Sequence, residues 1–264
     1  MNMYFHELKS YIKSLLIWSG GMFFLIIAGL GKYYAGASSD SGMNELMLQM
    51  PKSLQNLFGV GVFDLNNVIE YFGVMFLYIL IMVASHAVML GSGVISKEER
   101  DRTIEFIMVK PVSRFCVIKW KLFAASTICF VFSIMTFLSA VLSFSLYSEE
   151  LYIPQLLALC GCMFIIQISF LAVGAFFASL FGNHKISSAA GLAVMMGMFF
   201  LSILVDIFEQ VEWLRFFTFF QYADAKDILK LGWSPVYPII SIIAIGVLVI
   251  LAFRQYQRRD LRLG

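Results

Sequence analysis

The residues of this chain that could bind a nucleotide do not form a complete phosphate-binding loop. The nearest stretch is Gly91 to Lys97, GSGVISK. Such a loop needs a second glycine directly before its lysine, and a Ser or Thr after the lysine to bind magnesium. Ser96 and Glu98 occupy those two positions here. The sequence therefore predicts no catalytic residue and no ATP hydrolysis in this chain.

Histidine and cysteine residues do not predict a metal site either. The three histidines, His6, His86 and His184, are widely dispersed. Cys160 and Cys162 are two positions apart, so on a helix they point to different faces, and small core residues are the better interpretation. We therefore expect no metal site and no cofactor in this chain.

The strongest signal for recognition chemistry is a charged segment, Ser96 to Lys121, SKEERDRTIEFIMVKPVSRFCVIKWK. It holds seven of the nineteen Lys and Arg residues. Apolar runs long enough to cross a bilayer lie on both sides of it. This segment is therefore predicted to be a loop at a membrane surface that binds a partner.

Composition places the chain among membrane proteins. Hydrophobic residues make up 60% of it and charged residues only 14%, against roughly 45–50% and 25% in soluble domains. A membrane-spanning helix needs about 20 apolar residues, and six runs are long enough to qualify. They are Leu15 to Gly31, Tyr71 to Ile95, Leu122 to Tyr147, Pro154 to Phe181, Ser187 to Val205 and Val236 to Phe253. We predict an all-α polytopic protein with one transmembrane domain, residues 1–264.

Orientation follows from the distribution of positive charge between loops. With six spans, one face receives fourteen of the nineteen Lys and Arg residues, and the other face receives five. Because cytoplasmic loops carry the excess of Lys and Arg, the charged segment and both termini are predicted to be cytoplasmic. The plasma membrane is the expected location.

Inside the charged segment the pattern predicts two short helices with a break between them. Ser96 with Glu99 three positions later is a capping-box pattern, which would begin a helix at Ser96. Pro111 would end that helix, and Ser113 would cap the next one. The first helix is expected to lie parallel to the membrane surface. A helix that simply rests among lipid headgroups fits the pattern about as well.

These residues resemble the segment between the second and third spans of type 2 ATP-binding-cassette (ABC) transporter permeases. In that family an acidic pair, a Thr-x-Glu, an apolar turn and a Pro-Val-Ser-Arg precede a Lys. The corresponding residues here are Glu98 and Glu99, Thr103 and Glu105, Ile107 and Met108, Pro111, Val112, Ser113 and Arg114, and Lys121. The stretches from Met50 to Val60 and from Phe219 to Gly232 are similar to the family as well. Arg102 departs from it, since a Gly usually precedes the Thr.

The resemblance implies a permease subunit that forms a transport pathway as a homodimer. Two copies of a separate ABC ATPase subunit would bind ATP and Mg on the inside, and export is expected. Residues 96–121 would be the cytoplasmic coupling segment, residues 1–14 an elbow helix along the inner leaflet, and residues 206–235 an extracellular loop with short re-entrant helices. The predicted contacts to the ATPase are Glu98, Glu99, Thr103, Glu105, Ile107 and Arg114.

Candidate pathway residues come from the second and fifth spans, which the resemblance implies would line the passage. They are Phe72, Met75, Phe76, His86, Met195, Met196, Phe199 and Phe200. An ionisable residue inside a span is a functional candidate, but a neutral His86 bonded to a neighbouring helix carbonyl is the simpler interpretation. The apolar members suit a lipophilic cargo and suit packing equally well.

Two rows of small residues at four-residue spacing would let helices approach closely. They are Gly174, Ala178 and Gly182 in the fourth span and Ala189, Ala193 and Gly197 in the fifth.

A second class of function stays open from the sequence. A noncatalytic membrane scaffold or sensor could use the same charged loop to recruit another cytoplasmic protein. A secondary transporter fits less well, because charged residues for ion coupling are nearly absent from the spans. Membrane lipid is an expected contact and nucleic acid is not. The sequence does not identify a cargo.

Overall fold

Six long helices build the described part of the protein, as predicted. The computed structural model describes residues 3–37, 63–64, 66–101, 113–148, 150–231 and 234–258. The helices are α1 Met3–Ala37, α2 Val68–Arg100, α3 Arg114–Tyr147, α4 Ile153–Phe181, α5 His184–Ile207 and α6 Val236–Arg258. All six are long and apolar enough to cross a membrane. The predicted fold class, an all-α polytopic membrane protein, is confirmed.

The centre of the bundle is the pair formed by α2 and α4, which pack together more extensively than any other described helices. Two glycines make this packing possible. A Cβ added to Gly91 would lie 2.3 Å from the carbonyl oxygen of Leu171, and one added to Gly174 would lie 2.3 Å from that of Val88. The two backbones therefore touch where neither residue carries a side chain. Gly174 thus belongs to a packing face, as its spacing predicted.

Local signals explain where several helices begin and end. Ser113 caps α3, as predicted, because its Oγ accepts a hydrogen bond from the backbone N–H of Cys116 at 3.2 Å. Asn67 and Asn183 cap α2 and α5 in the same way. Gly182 ends α4 with a φ of 69°, a left-handed conformation that favours glycine.

Two predicted helix boundaries are wrong. Ser96 does not begin a helix: it is buried inside α2, its Oγ donates to the carbonyl oxygen of Ser92, and the helix continues to Arg100. The N-terminal elbow is not a separate helix, because α1 runs unbroken from Met3 to Ala37. No proline or glycine stands between Met3 and Ser19 to interrupt it.

We call one end of the bundle the near end. It carries the first turns of α1 and α3, the last turns of α2 and α6, and the α4–α5 connection. The opposite end is the far end. At the far end, residues 206–235 contain the short helices Glu209–Phe217, Phe219–Ala223 and Asp227–Leu231. They pack against α4, α5 and α6. Their predicted re-entrant position in the membrane stays a prediction.

Candidate functional site

The candidate site is the near end, where residues 102–112 join α2 to α3. Its core is an ion pair between Glu98, in the last turn of α2, and Lys121, two turns into α3. Lys121 is completely buried, and its Nζ donates both to Glu98 Oε2 and, at 2.6 Å, to the carbonyl oxygen of Val94. A buried ammonium without such partners would be very costly. The pair therefore fixes the two helices that flank the segment against each other.

A second ion pair ties α1 to α2. Lys97 Nζ lies 3.4 Å from Glu7 Oε2 and donates to Ser10 Oγ at 2.8 Å. Glu7 is only 2% exposed, so the carboxylate side of this contact is buried between the helices. The side chain of Lys97 also lies over the ring of Tyr11, 5.8 Å from its centre.

Hydroxyl groups tie α2 to the start of α5. Ser96 Oγ lies 3.2 Å from His184 Nδ1, and one turn earlier Ser92 Oγ lies 2.6 Å from Ser188 Oγ. Ser92 and Ser96 are both completely buried. We call Glu7, Ser96, Lys97, Glu98, Lys121 and His184 the near-end cluster; it joins α1, α2, α3 and α5.

Exposed and half-buried charges surround this cluster. Arg100 Nε donates to Asp101 Oδ1 at 2.9 Å, and this hydrogen bond lowers the pKa of the Asp101 carboxyl. Arg114 Nη1 donates to the carbonyl oxygen of Gln257 at 3.3 Å, which joins the start of α3 to the end of α6. The near end thus presents charge outward and encloses a buried ion pair.

The structure places the predicted partner contacts unequally. Glu98 faces inward as the partner of Lys121, so its prediction as a direct contact to another protein needs correction. The cause is its position on the face of α2 that packs against α3, where the completely buried Lys121 needs a carboxylate partner. Glu99 and Arg114 are half-buried. Thr103, Glu105 and Ile107 lie outside the described residues.

Most predicted pathway residues lie inside the chain's own core. Phe72, Met75, Phe76, His86 and Met195 are all buried. Phe199 is half-buried, with its ring centre 5.6 Å from that of Phe220. Met196 and Phe200 alone of the eight are exposed, at 42% and 58%. The pathway assignment stays a prediction.

The surroundings of His86 differ from the hydrogen bond to a helix carbonyl that the sequence favoured. Its ring packs between Trp18 and Phe132, with ring centres 5.4 and 4.7 Å away. Among the described residues its Nδ1 has no hydrogen-bond partner. His86 thus packs between aromatic rings, and its Nδ1 makes no hydrogen bond to a helix carbonyl in the described part of the chain.

Sequence reasoning missed the pairing of Glu98 with Lys121, although a signal was present. Lys121 continues the buried face of α3 that carries Val117, Ile118, Ala124 and Ala125. A lysine on such a face needs a partner inside the protein. What the pattern could not supply was the identity of that partner, 23 residues away in the chain.

Six apolar helices with a charged, partly buried end define a multi-pass membrane protein. The chain matches the ABC-2 family transporter proteins over residues 1–261, and it belongs to this family. It is similar to the uncharacterized membrane protein YdbK of Bacillus subtilis (strain 168), with 24% identity over 195 residues, 69% of this chain and 79% of that protein. The chain is therefore a permease subunit of an ABC transporter, a membrane component whose family normally lacks nucleotide-binding motifs and works with an ATPase subunit.

Proposed function

We propose that the chain is the permease subunit of an ABC exporter, forms its pathway as a homodimer, and is driven by two separate ATPase subunits that contact residues 96–121. In this proposal the near end is cytoplasmic and the membrane is the plasma membrane. ATP and Mg would be bound by the ATPase. The observation that carries the proposal is the buried ion pair between Glu98 and Lys121 at the base of this segment.

The ion pair supports a mechanical role for the segment. Its two attachment points, the end of α2 and the start of α3, are held together by a contact that costs several kcal/mol to break. A force on residues 102–112 would then move both helices as one unit instead of separating them. Rigid-body movement of packed helices is a common way in which transport proteins switch state.

Contacts around the pair would distribute this movement. The Lys97–Glu7 ion pair connects α2 to α1, and the Ser96–His184 contact connects it to α5. These links join most of the bundle to the segment. Closure of an ATPase dimer that binds the segment would therefore bias the bundle between two states.

One exposed helix face supports the homodimer. In α5, Ala189, Ala193 and Gly197 are exposed at four-residue spacing, and they precede the exposed Phe200. Small residues in such a row let two membrane helices approach closely. A second copy of the chain would cover this face.

The ATPase assignment is tested by purifying the tagged chain from its native membranes. For the unaltered chain we expect a stoichiometric ATP-hydrolysing subunit to co-purify. The double variant Glu99→Lys and Glu105→Lys should lose it, because two charges change sign at the proposed contact. Glu212→Lys, a reversal of an exposed charge at the far end, is the matched control. Unchanged co-purification with the double variant would refute the proposed contact.

The homodimer is tested by disulfide trapping. In a variant whose natural cysteines are replaced by serine, Ala193→Cys should form a covalent dimer under mild oxidation. Leu138→Cys, at a 53% exposed position of α3, is the control and should stay monomeric. Equal cross-linking at both positions would mean random collision and would contradict the proposed interface.

A further inference from the structure

A groove on the outside of the bundle is not used by the proposed coupling mechanism. It lies between α3, α4 and α6 and has a volume of about 500 Å³. Its lining is almost wholly apolar, with Ile168 and Ile245 near one end and Phe253 at the other. The groove opens along the side of the bundle, where a membrane protein meets lipid.

The groove extends over about one leaflet. On α3 it runs from Lys119 to Ser126, and on α6 from Phe253 back to Ile245. At a rise of 1.5 Å per residue these distances are about 10 and 12 Å. Half of the hydrocarbon core of a bilayer is about 15 Å. The groove thus matches the acyl chain of a lipid in the leaflet on the near-end side.

The near-end mouth of the groove is positively charged. Lys119 is exposed, and its Nζ lies 5.9 Å from the ring centre of Trp120. Arg254, directly after Phe253 on α6, is exposed as well. The lining contains no carboxylate. Tryptophan and lysine together are typical of the level at which lipid headgroups lie.

We propose that this groove binds an anionic phospholipid, with one acyl chain between α3, α4 and α6 and its phosphate at Lys119. Basic sites between membrane helices bind anionic headgroups through charge, and the apolar lining supplies the contact with the chain. A helix of a second copy of the protein would cover the apolar lining equally well but would leave the cation at the mouth without a counter-charge. The inference requires that the chain spans a membrane, and it does not depend on the ATPase or on export.

Trp120 provides the measurement. A variant with Trp18→Phe, Trp213→Phe and Trp233→Phe keeps Trp120 as its single tryptophan. It is reconstituted into vesicles with increasing fractions of dibrominated phosphatidylglycerol or dibrominated phosphatidylcholine, and quenching of its fluorescence is recorded. We expect half-maximal quenching at a fraction about fivefold lower for the anionic lipid, the preference that one cation near the surface confers.

Three further variants in this background decide whether the groove is responsible. Lys119→Gln should remove the preference for phosphatidylglycerol, whereas Lys185→Gln, which neutralises another exposed near-end lysine, should keep it. Ser126→Phe, which fills the groove, should reduce quenching by both lipids.

Three results would overturn the proposal. Equal quenching by both lipids in the single-tryptophan protein would mean that ordinary bulk lipid contacts Trp120 and that the groove does not select an anionic headgroup. No quenching by either lipid would mean that another protein surface covers the groove. Loss of the preference for phosphatidylglycerol in both Lys119→Gln and Lys185→Gln would mean that the overall charge of the near-end surface attracts the lipid, and not a site at Lys119.

Discussion

The two ends of the bundle are stabilised by different interactions. At the near end, a completely buried lysine pairs with Glu98 and connects two long helices. At the far end, the ion pair between Arg215 and Asp227 lies within one short segment, with 22% and 26% of the two side chains exposed. Charge therefore fixes two long helices against each other at the near end. At the far end it shapes a short segment and ties that segment to the start of α2, through Lys230 Nζ and Glu70 Oε2 at 3.0 Å.

The far end also attaches to the bundle through an amide group and aromatic rings. Gln221 is 3% exposed, and its Nε2 donates to the backbone oxygen and Oγ of Ser202 and to Asp206 Oδ1, at 3.1, 3.1 and 2.9 Å. The ring of Phe220 packs on Phe170, 5.3 Å between centres. Such contacts hold the short helices as a cap against α4 and α5.

The largest expected effect comes from breaking the near-end ion pair. Lys121→Met leaves the Glu98 carboxylate buried without its cation, which should cost about 3–5 kcal/mol of stability. We expect a strongly lowered unfolding temperature in detergent micelles. The measurement is thermal unfolding followed by intrinsic fluorescence.

The double variant Glu98→Leu and Lys121→Met is the matched control. Because it removes both charges and keeps apolar volume, it should recover most of the lost stability. If the double variant unfolds as early as the single one, packing and not charge holds α2 to α3, and the contrast between the two ends disappears.

A smaller loss is expected at the far end from Gln221→Leu. The change leaves Ser202 and Asp206 without their shared donor, which should cost about 1–3 kcal/mol. Gln210→Leu, at an exposed position of the neighbouring short helix, is the control and should have little effect. Limited proteolysis should show preferential cleavage in residues 206–235 of the Gln221 variant. Cleavage spread evenly over both ends would contradict the picture of a separate cap.

Arg215→Met should have a smaller effect still, below about 1 kcal/mol, because partly exposed ion pairs contribute little. The salt dependence of stability distinguishes the two ion pairs. At about 1 M salt the screening length is only about 3 Å, so the difference between Arg215→Met and the unaltered chain should shrink. The destabilisation by Lys121→Met should stay, since its partner is buried. Equal salt sensitivity at the two sites would show that Lys121 is accessible to ions.

The sequence predicted the features of this fold that depend on local pattern. Long apolar runs gave six helices, and the Ser113 cap lay where a serine follows the Pro111–Val112 pair. The same local logic failed at Ser96, where a capping-box pattern stands inside a longer helix. The tendency of these four residues to begin a helix could not outweigh the packing that continues α2 to Arg100.

The candidate site was predicted less well because its contacts join distant parts of the chain. Glu98 was identified as functional from its place in the charged segment, but a buried ion pair depends on which helix lies opposite. The Lys97–Glu7 contact spans 90 residues. No periodicity within one helix contains that information, which arises only when the bundle packs.

Two aspartates outside the spans should respond to pH in opposite directions. Burial raises the pKa of Asp224 at the far end, so the folded state holds its proton more tightly than the unfolded state. Stability from this group is fully present below the ordinary pKa of about 3.9 and falls as pH rises through the raised pKa. Asp224→Asn should therefore raise the unfolding temperature at pH 7, and the gain should disappear towards pH 4.

At the near end the sign is reversed. The hydrogen bond from Arg100 lowers the pKa of Asp101, so its stabilisation is present above the ordinary pKa and is lost as pH falls through the lowered value. Asp101→Asn should lower the unfolding temperature slightly at pH 7, and the difference should vanish in acid. Unfolding temperatures of both variants and the unaltered chain between about pH 2 and pH 8, a range that extends below the ordinary aspartate pKa of about 3.9, check this pair of predictions. Shifts of the same sign would mean that the two carboxyls share one environment, contrary to the charge arrangement at the two ends.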